Sequence, residues 1–186
     1  MQESLLYRPN SSAPRFDGYD AVRLDRKRDD VHKGGGVMAL FKEGLQWSPD
    51  GTRVTHATDK GTEAQVFHLH TYRSKRMRCV HLYVPPATSH GTFRPDCLPK
   101  DALVFGDLNA HHADWDANAK PDQRGAEVRR WVRSGDLHVL NTGEPTRIEG
   151  SSVSAPDLTV VPGAYREAKW TVTDRGGSDH APGTIR

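Results

Sequence analysis

At 186 residues the chain has the length of one domain, with room for a core of two layers or more. A hydrophobic content of 35% and a mean hydropathy of −0.73 are low for a compact enzyme and predict a thin core, and no stretch approaches the ~18 apolar residues that a membrane-spanning helix needs. The net charge is only +2, but ten histidines and a pI of 8.6 tilt the surface toward polyanions, which permits nucleic acid without demanding it.

Residues 8–18, rich in Pro, Ser and Gly, predict a surface loop, and Tyr19–Leu24 alternates as a short strand. A charge cluster over Asp25–Lys33 precedes Gly34-Gly35-Gly36 and an apolar strand, Val37–Phe41. The three glycines suggest a close backbone approach or a mobile turn. They are not a phosphate loop, since no Gly-Lys-Ser/Thr follows and the order is loop then strand. Gln65–His70 and Met77–Val84 both alternate, and the basic turn Arg73–Arg76 between them predicts an antiparallel hairpin that Pro85-Pro86 stops.

Ala102–Phe105 is the next strand, followed by the best helix, Gly125–Ser134, with Val128, Trp131 and Val132 on one face and Gly135 as its stop. Leu137–Leu140, Asp157–Val161 and Lys169–Thr173 are further strands, and Asp174–Arg186 closes the chain as a loop. Many short strands and one or two helices favour an α/β or α+β sandwich dominated by antiparallel pairing.

Cys79 and Cys97 match neither a disulfide framework nor a metal motif, and a reduced thiol pair is the default. Met1-Gln2-Glu3-Ser4 carries no signal or transit character. The expectation is a soluble, unsecreted, intracellular protein, nuclear or cytoplasmic, with no membrane partner.

The run Leu103–His112, continuing to Asp114-Trp115-Asp116, carries the most chemistry. The four apolar residues Ala102–Phe105 and a glycine end at Asp107, and Asn109 follows two residues later, so both side chains are expected on one side of the backbone just beyond a strand. An acid there can take a proton from water, and an amide can donate to an oxygen that gains charge. Taken alone, the same residues also suit a solvated turn. His68, His70, His81, His111 and His112 invite a zinc reading, which fails for lack of a third ligand at useful spacing and of any cysteine in the cluster.

The ordered set Gln2-Glu3, Gly34-Gly35-Gly36-Val37, Tyr83-Val84-Pro85-Pro86, Gly106–His112 with Trp115-Asp116, Pro145-Thr146-Arg147, Ser154–Thr159 around Asp157, and Ser178-Asp179-His180 resembles the endonuclease/exonuclease/phosphatase superfamily, in the branch of apurinic-type endonucleases of non-LTR retrotransposons. The resemblance implies a four-layered α/β sandwich, two packed mixed β-sheets flanked by helices, with divalent-metal phosphodiester hydrolysis at one rim. It implies Glu3 and Asp179 as metal carboxylates for Mg²⁺, with Mn²⁺ as a substitute. Asp107 corresponds to the acid that aligns or deprotonates water, Asn109 to the amide supporting the phosphorane, His180 to the catalytic histidine and Asp157 to its carboxylate partner. Tyr83 matches a tyrosine reaching a phosphate oxygen, Arg147 a DNA phosphate contact, and His111 a residue at the site rim that binds substrate. Outside the resemblance, Glu3 is a frayed terminal charge, Tyr83 a packing residue, Arg147 an ordinary surface arginine, and the basic runs Arg26–Arg28 and Arg73–Arg78 solvated faces.

Departures from the pattern are expected at both ends. The single domain, residues 1–186, opens at Met1-Gln2-Glu3 and so would lack the family's first strand with its metal-binding Asn and the following helix. After His180 only Ala181–Arg186 remain, where a closing strand is usual, and Ser154-Ala155-Pro156 stands where the family has apolar residues. The resemblance therefore implies a Mg²⁺-dependent DNA endonuclease that nicks one strand and leaves a 3′ hydroxyl to prime reverse transcription, with a reverse transcriptase fused or associated in an intact element. The alternative is a catalytically inactive, degenerate remnant that only binds nucleic acid. A phosphatase or lipid-cleaving relative is disfavoured by the His111-His112 and Trp115-Asp116 pairs.

Overall fold

The computed structural model describes residues 15–25, 36–50, 62–70, 75–86 and 93–186. Two strands, β1 (Tyr19–Leu24) and β2 (Val37–Lys42), pair antiparallel as a ribbon. Next come a short edge strand β3 (Trp47–Pro49), then β4 (Glu63–His70), β5 (Arg76–Tyr83) and β6 (Ala102–Asp107). Helix α1 (Gln123–Ser134) leads to β7 (Leu137–Val139), the hairpin β8 (Arg147–Glu149) and β9 (Ser152–Ser154), and then β10 (Asp157–Pro162). The ribbon of β11 (Trp170–Val172) and β12 (Gly183–Ile185) completes the element order. The main sheet runs β3-β4-β5-β6-β10-β7, antiparallel except for the parallel pair β5 and β6.

Side-chain alternation divides this sheet into two unlike faces. Val66, Val80, Leu82, Val104, Leu158 and Val160 point to one side and pack with Val128 and Trp131 of α1. Val80, Val128, Trp131 and Val160 are fully buried. Each such side chain contributes about 1.5–3 kcal/mol relative to an exposed one, so on this side the core is continuous rather than thin. On the other side Phe67, Cys79, Leu103 and Phe105 meet Val22 and Phe41 of the first ribbon. Phe41 stacks on Trp47 at 4.1 Å and meets Phe67 edge-on at 4.9 Å. Trp170 of the last ribbon packs on Leu140, Val161 and the same Leu103, so both ribbons cover one face. The helix, the sheet and the two separate ribbons stack as layers of the α/β sandwich that the resemblance implies, among the described residues.

Helix α1 begins two residues earlier than its apolar periodicity predicts, because Asp122 caps it: the carboxylate accepts the Gly125 N–H at 2.6 Å. Gly135 ends the helix as expected but with φ −117°, and the left-handed residue is Asp136 at φ 49°. The predicted hairpin is present, its strands bounded as Glu63–His70 and Arg76–Tyr83. Three pieces escaped periodicity: β3, which contains a proline; the β8–β9 hairpin, whose Val153 is exposed; and β12. The last corrects the expectation for the short tail, since a closing strand follows His180 and pairs with β11. Among the described residues no helix is long and apolar enough to cross a membrane.

Candidate active site

Strand register lines up a polar row across the ribbon-covered face. Glu63 pairs with Tyr83, Tyr83 with Asp107, and Asp107 with Asp157, one residue from each of β4, β5, β6 and β10. Neighbouring strands lie ~4.8 Å apart, so this row spans about 14 Å. Glu63, Tyr83 and Asp107 are all buried. Glu63 accepts the Gly36 N–H at 2.5 Å, and Gly36 has φ 86°, so the last of the three glycines makes the close backbone approach that the sequence suggested.

Asp107 is the final residue of β6 rather than a residue beyond it. Gly106 before it has φ 141°, and Asn109 after it is left-handed at φ 45°, so the chain leaves the strand by a sharp turn and the simple two-residue alternation fails there. The turn is tied to the acid it follows. Asp107 accepts the Asn109 main-chain N–H at 2.9 Å and one Asn109 Nδ2 hydrogen at 3.1 Å, and the other goes to the Val84 carbonyl at 2.9 Å. Both amide hydrogens of Asn109 therefore hold the strand end.

His180 reaches the same place from the loop between β11 and β12. Its Nδ1 lies 2.8 Å from the Asp157 carboxylate. The loop is pinned to β8 by a main-chain bridge between Arg147 and His180, by the Ile148 N–H on the Asp179 carbonyl and by the Ala181 N–H on the Thr146 carbonyl. The hydrogen bond to Asp157 raises the His180 pKa above its usual value; burial opposes this, and the charges of Asp157, Asp107 and Asp179 reinforce it. A protonated imidazole in this position is a donor for an anionic oxygen. Asp179, half-exposed, lies 3.4 Å from the Arg147 guanidinium. Burial pushes its pKa up, but the His180 charge, a main-chain hydrogen bond and Arg147 outweigh that and leave it low.

Asp107, Asp157, Asp179 and His180 border a cleft of about 630 Å³ between the sheet and the last ribbon, lined also by His81, Phe105 and Trp170. His81 is 3% exposed, stacks on Phe105 at 5.0 Å, and burial drives its pKa down to about 3, so it is a neutral ring. Its Nδ1 and the Trp170 indole nitrogen lack hydrogen-bond partners among the described residues. Donor atoms of Asp107, Asp157 and His180 lie within 4.8 Å of one another. The carboxylate oxygens of that group suit a hard divalent cation, since an ionised carboxylate carries lone pairs enough for several contacts at once.

The structure thus brings together Tyr83, Asp107, Asn109, Asp157, Asp179 and His180. Arg147 stands at the rim, with its guanidinium between Asp179 and the Glu149 carboxylate at 2.6 Å. His111 lies beyond the acid–amide turn, where its main-chain N–H and carbonyl both engage Asp122. The Gln2-Glu3 pair, Gly34, Gly35, Arg26–Arg28 and Arg73 lie outside the described residues. The other histidines are dispersed: His68 faces Asp50 and Arg76, His70 faces Ser48, and His112 accepts the Asp114 N–H at 3.0 Å.

Three supports were not singled out from sequence. Asn141 bridges the Asp157 carbonyl and the Thr159 N–H, both at 2.8 Å; Thr146 Oγ1 accepts the Asp157 N–H at 3.2 Å; and buried Asp116 accepts the Ala155 N–H at 3.0 Å. Together they fix the start of β10 and with it the Asp157 carboxylate. Asp116 and Thr146 were visible only as members of the Trp115-Asp116 and Pro145-Thr146-Arg147 motifs, and Asn141 sat in ordinary loop composition.

A family model described as endonuclease-reverse transcriptase matches residues 77–184, which include Tyr83, Asp107, Asn109, Asp157, Asp179 and His180. Among solved structures, the endonuclease domain of TRAS1, a telomere-specific non-LTR retrotransposon, superposes with a TM-score of 0.68 at 21% identity, over 91% of this chain and 78% of that one. The catalytic domain of Xenopus laevis APE2 gives 0.58 at 12% identity, over 92% and 76%. No curated protein matches the chain. At these identities the structural likeness establishes the shared α/β sandwich, and the family rests on the sequence match. The chain belongs to the endonuclease-reverse transcriptase family of the endonuclease/exonuclease/phosphatase superfamily.

Proposed function

We propose that this chain is a single Mg²⁺-dependent DNA endonuclease domain that nicks one strand by hydrolysis and leaves a 3′ hydroxyl, acting beside a reverse transcriptase in the nucleus or cytoplasm. The observation that carries the reading is the convergence of Asp107, Asp157 and His180 at one strand end, with the His180–Asp157 hydrogen bond at 2.8 Å. Carboxylate oxygens of Asp107, Asp157 and Asp179 are the donors that would hold Mg²⁺, with Mn²⁺ as a substitute and Glu3 as a further candidate ligand. When bound, the cation supplies positive charge to a phosphate oxygen.

The residues divide the rest of the work. Asp157 keeps one imidazole nitrogen occupied and favours the protonated ring, so His180 donates to a non-bridging phosphate oxygen as charge develops. Asp107, fixed by Asn109, orients the attacking water and takes its proton. Asn109 and Tyr83 flank the position of the pentavalent phosphorane. Arg147 exchanges a carboxylate partner for a DNA phosphate, and His111 contacts substrate further along the strand.

Supercoiled plasmid incubated with Mg²⁺ tests this. The wild type should convert it to the nicked circle, while Asp107→Ala, His180→Ala and EDTA each stop conversion. DNA shifted in a gel but never nicked by wild type would replace the enzyme with a nucleic-acid-binding remnant.

A further inference from the structure

The acid–amide turn is held from behind by the first turn of α1. Arg124 is 9% exposed, and its Nη1 donates to two successive carbonyls, Leu108 and Asn109, each at 3.1 Å. Asp122 takes the next step of the same turn: its main-chain N–H donates to the His111 carbonyl at 3.0 Å and its side chain accepts the His111 N–H at 3.3 Å. Gly125 packs so closely that a Cβ built there would lie 2.0 Å from the His111 oxygen. The Trp115 indole donates to the Ala110 carbonyl at 3.0 Å. Every carbonyl from Leu108 to His111 is therefore occupied.

This arrangement answers a physical need. Left-handed backbone is disfavoured for a residue with a Cβ, for asparagine less than for most, and it persists where its surroundings hold it. Asn109 is such a residue, and its conformation turns the amide back onto Asp107. A buried guanidinium is expensive to desolvate unless its hydrogens are used, and one Nη group carries two hydrogens in a fixed plane that matches two adjacent carbonyls. Burial lowers the Arg124 pKa, and the carboxylates of Asp122, Asp107 and Glu127 counter that, so a positive charge sits behind the catalytic acid.

We propose that the first turn of α1 is a clamp on the acid–amide turn, with Arg124 the positioning residue that keeps Asn109 left-handed and Asp107 aimed into the cleft. The catalytic part of this inference rests on the endonuclease reading above; the conformational part does not. Arg124 touches no reacting atom and acts through main-chain oxygens.

The test joins amide hydrogen exchange by NMR with single-turnover nicking on the full chain, comparing wild type, Arg124→Met and Arg124→Lys. Losing both donors in Arg124→Met should speed exchange at the Leu108 and Asn109 amides by about tenfold or more while Val80 and Trp131 stay within about twofold. The nicking rate at saturating DNA should fall about thirtyfold with the half-saturating DNA concentration little changed, because misplacing a catalytic group costs the chemical step rather than binding. Arg124→Lys, which keeps a charged donor, should recover part of both. Unchanged exchange at Leu108 and Asn109, or acceleration spread evenly over Val80 and Trp131, overturns the clamp. If Arg124→Met does not fold, Arg124→Gln, with one amide donor, is read by the same contrast between turn and core. A wild type that never nicks removes the endonuclease reading alone, since the exchange contrast still decides the clamp.

Discussion

The two faces of the six-stranded sheet are made by the same strands and do opposite things. Toward α1 the alternating residues are Val, Leu and Ala, closed over by Val128 and Trp131. Toward the ribbons the same strands place Glu63, Tyr83, Asp107 and Asp157 in one row and Gln65, His81, Phe105 and Thr159 in the next. Shifting any strand by one residue would exchange the two sets, so the dry face enforces the register on which the polar face depends. The ribbon side packs Phe67, Cys79 and Leu103 as well, so its buried polar groups are confined to the rows that border the cleft, where each needs a partner.

The sharpest way to break this division is to strike each face separately. Asp107→Asn keeps the size of the side chain and should lower nicking by about a hundredfold or more, the scale of a lost general base, while stability falls only by about the 1–3 kcal/mol of the one Asn109 hydrogen bond that the amide cannot accept. Trp131→Ala should do the reverse: about 3–5 kcal/mol lost in urea unfolding, with the rate per folded molecule preserved. A large activity loss in folded Trp131→Ala would show that the two faces are not separable.

Acidity sharpens the comparison within the polar face, because two of its histidines should act with opposite sign. His180 titrates above its unfolded value through its bond to Asp157, so its contribution is full below about pH 6.5 and is lost as pH rises through the raised value. His81 titrates near 3, so folding keeps it neutral while the unfolded chain takes up a proton, and it costs stability progressively as pH falls below about 6.5. Urea unfolding between pH 5 and 8.5 should show His180→Gln losing the stability decline on the alkaline side and His81→Phe losing the decline on the acid side. The smallest effect is the gain at neutral pH from His81→Phe, about 1 kcal/mol from removing an unpartnered buried nitrogen beside Phe105. A loss instead would mean that His81 has a partner in solution.

Particular residues explain what could be seen in the sequence. β4 and β5 were legible because apolar residues recur at every second position through both strands, Val80 and Leu82 toward α1 and Phe67 and Leu69 toward the ribbons. Asp107, Asp157, Asp179 and His180 were legible as chemistry only through their order, since the contacts joining them arise from β6–β10 pairing and from a loop held by Thr146 and Ile148. The left-handed turn at Asn109 left no local mark, as asparagine is common in many conformations. Asn141 and Thr146 act across 16 and 11 residues by single hydrogen bonds, which periodicity does not register. β12 is Gly-Thr-Ile, its glycine fitted against the Trp170 indole, where a Cβ would come within 2.7 Å; three residues of that kind carry no strand signal.

The bridge between Arg147 and His180 also orders events in time. During synthesis the sheet strands β4, β5 and β6 and the cap of α1 can meet early, but the imidazole cannot reach Asp157 until the stretch from β11 through residue 180 has left the ribosome and doubled back onto β8. A nascent chain would carry Asp107 and Asp157 in place and still lack the imidazole, so the proposed site is complete only after this late long-range closure.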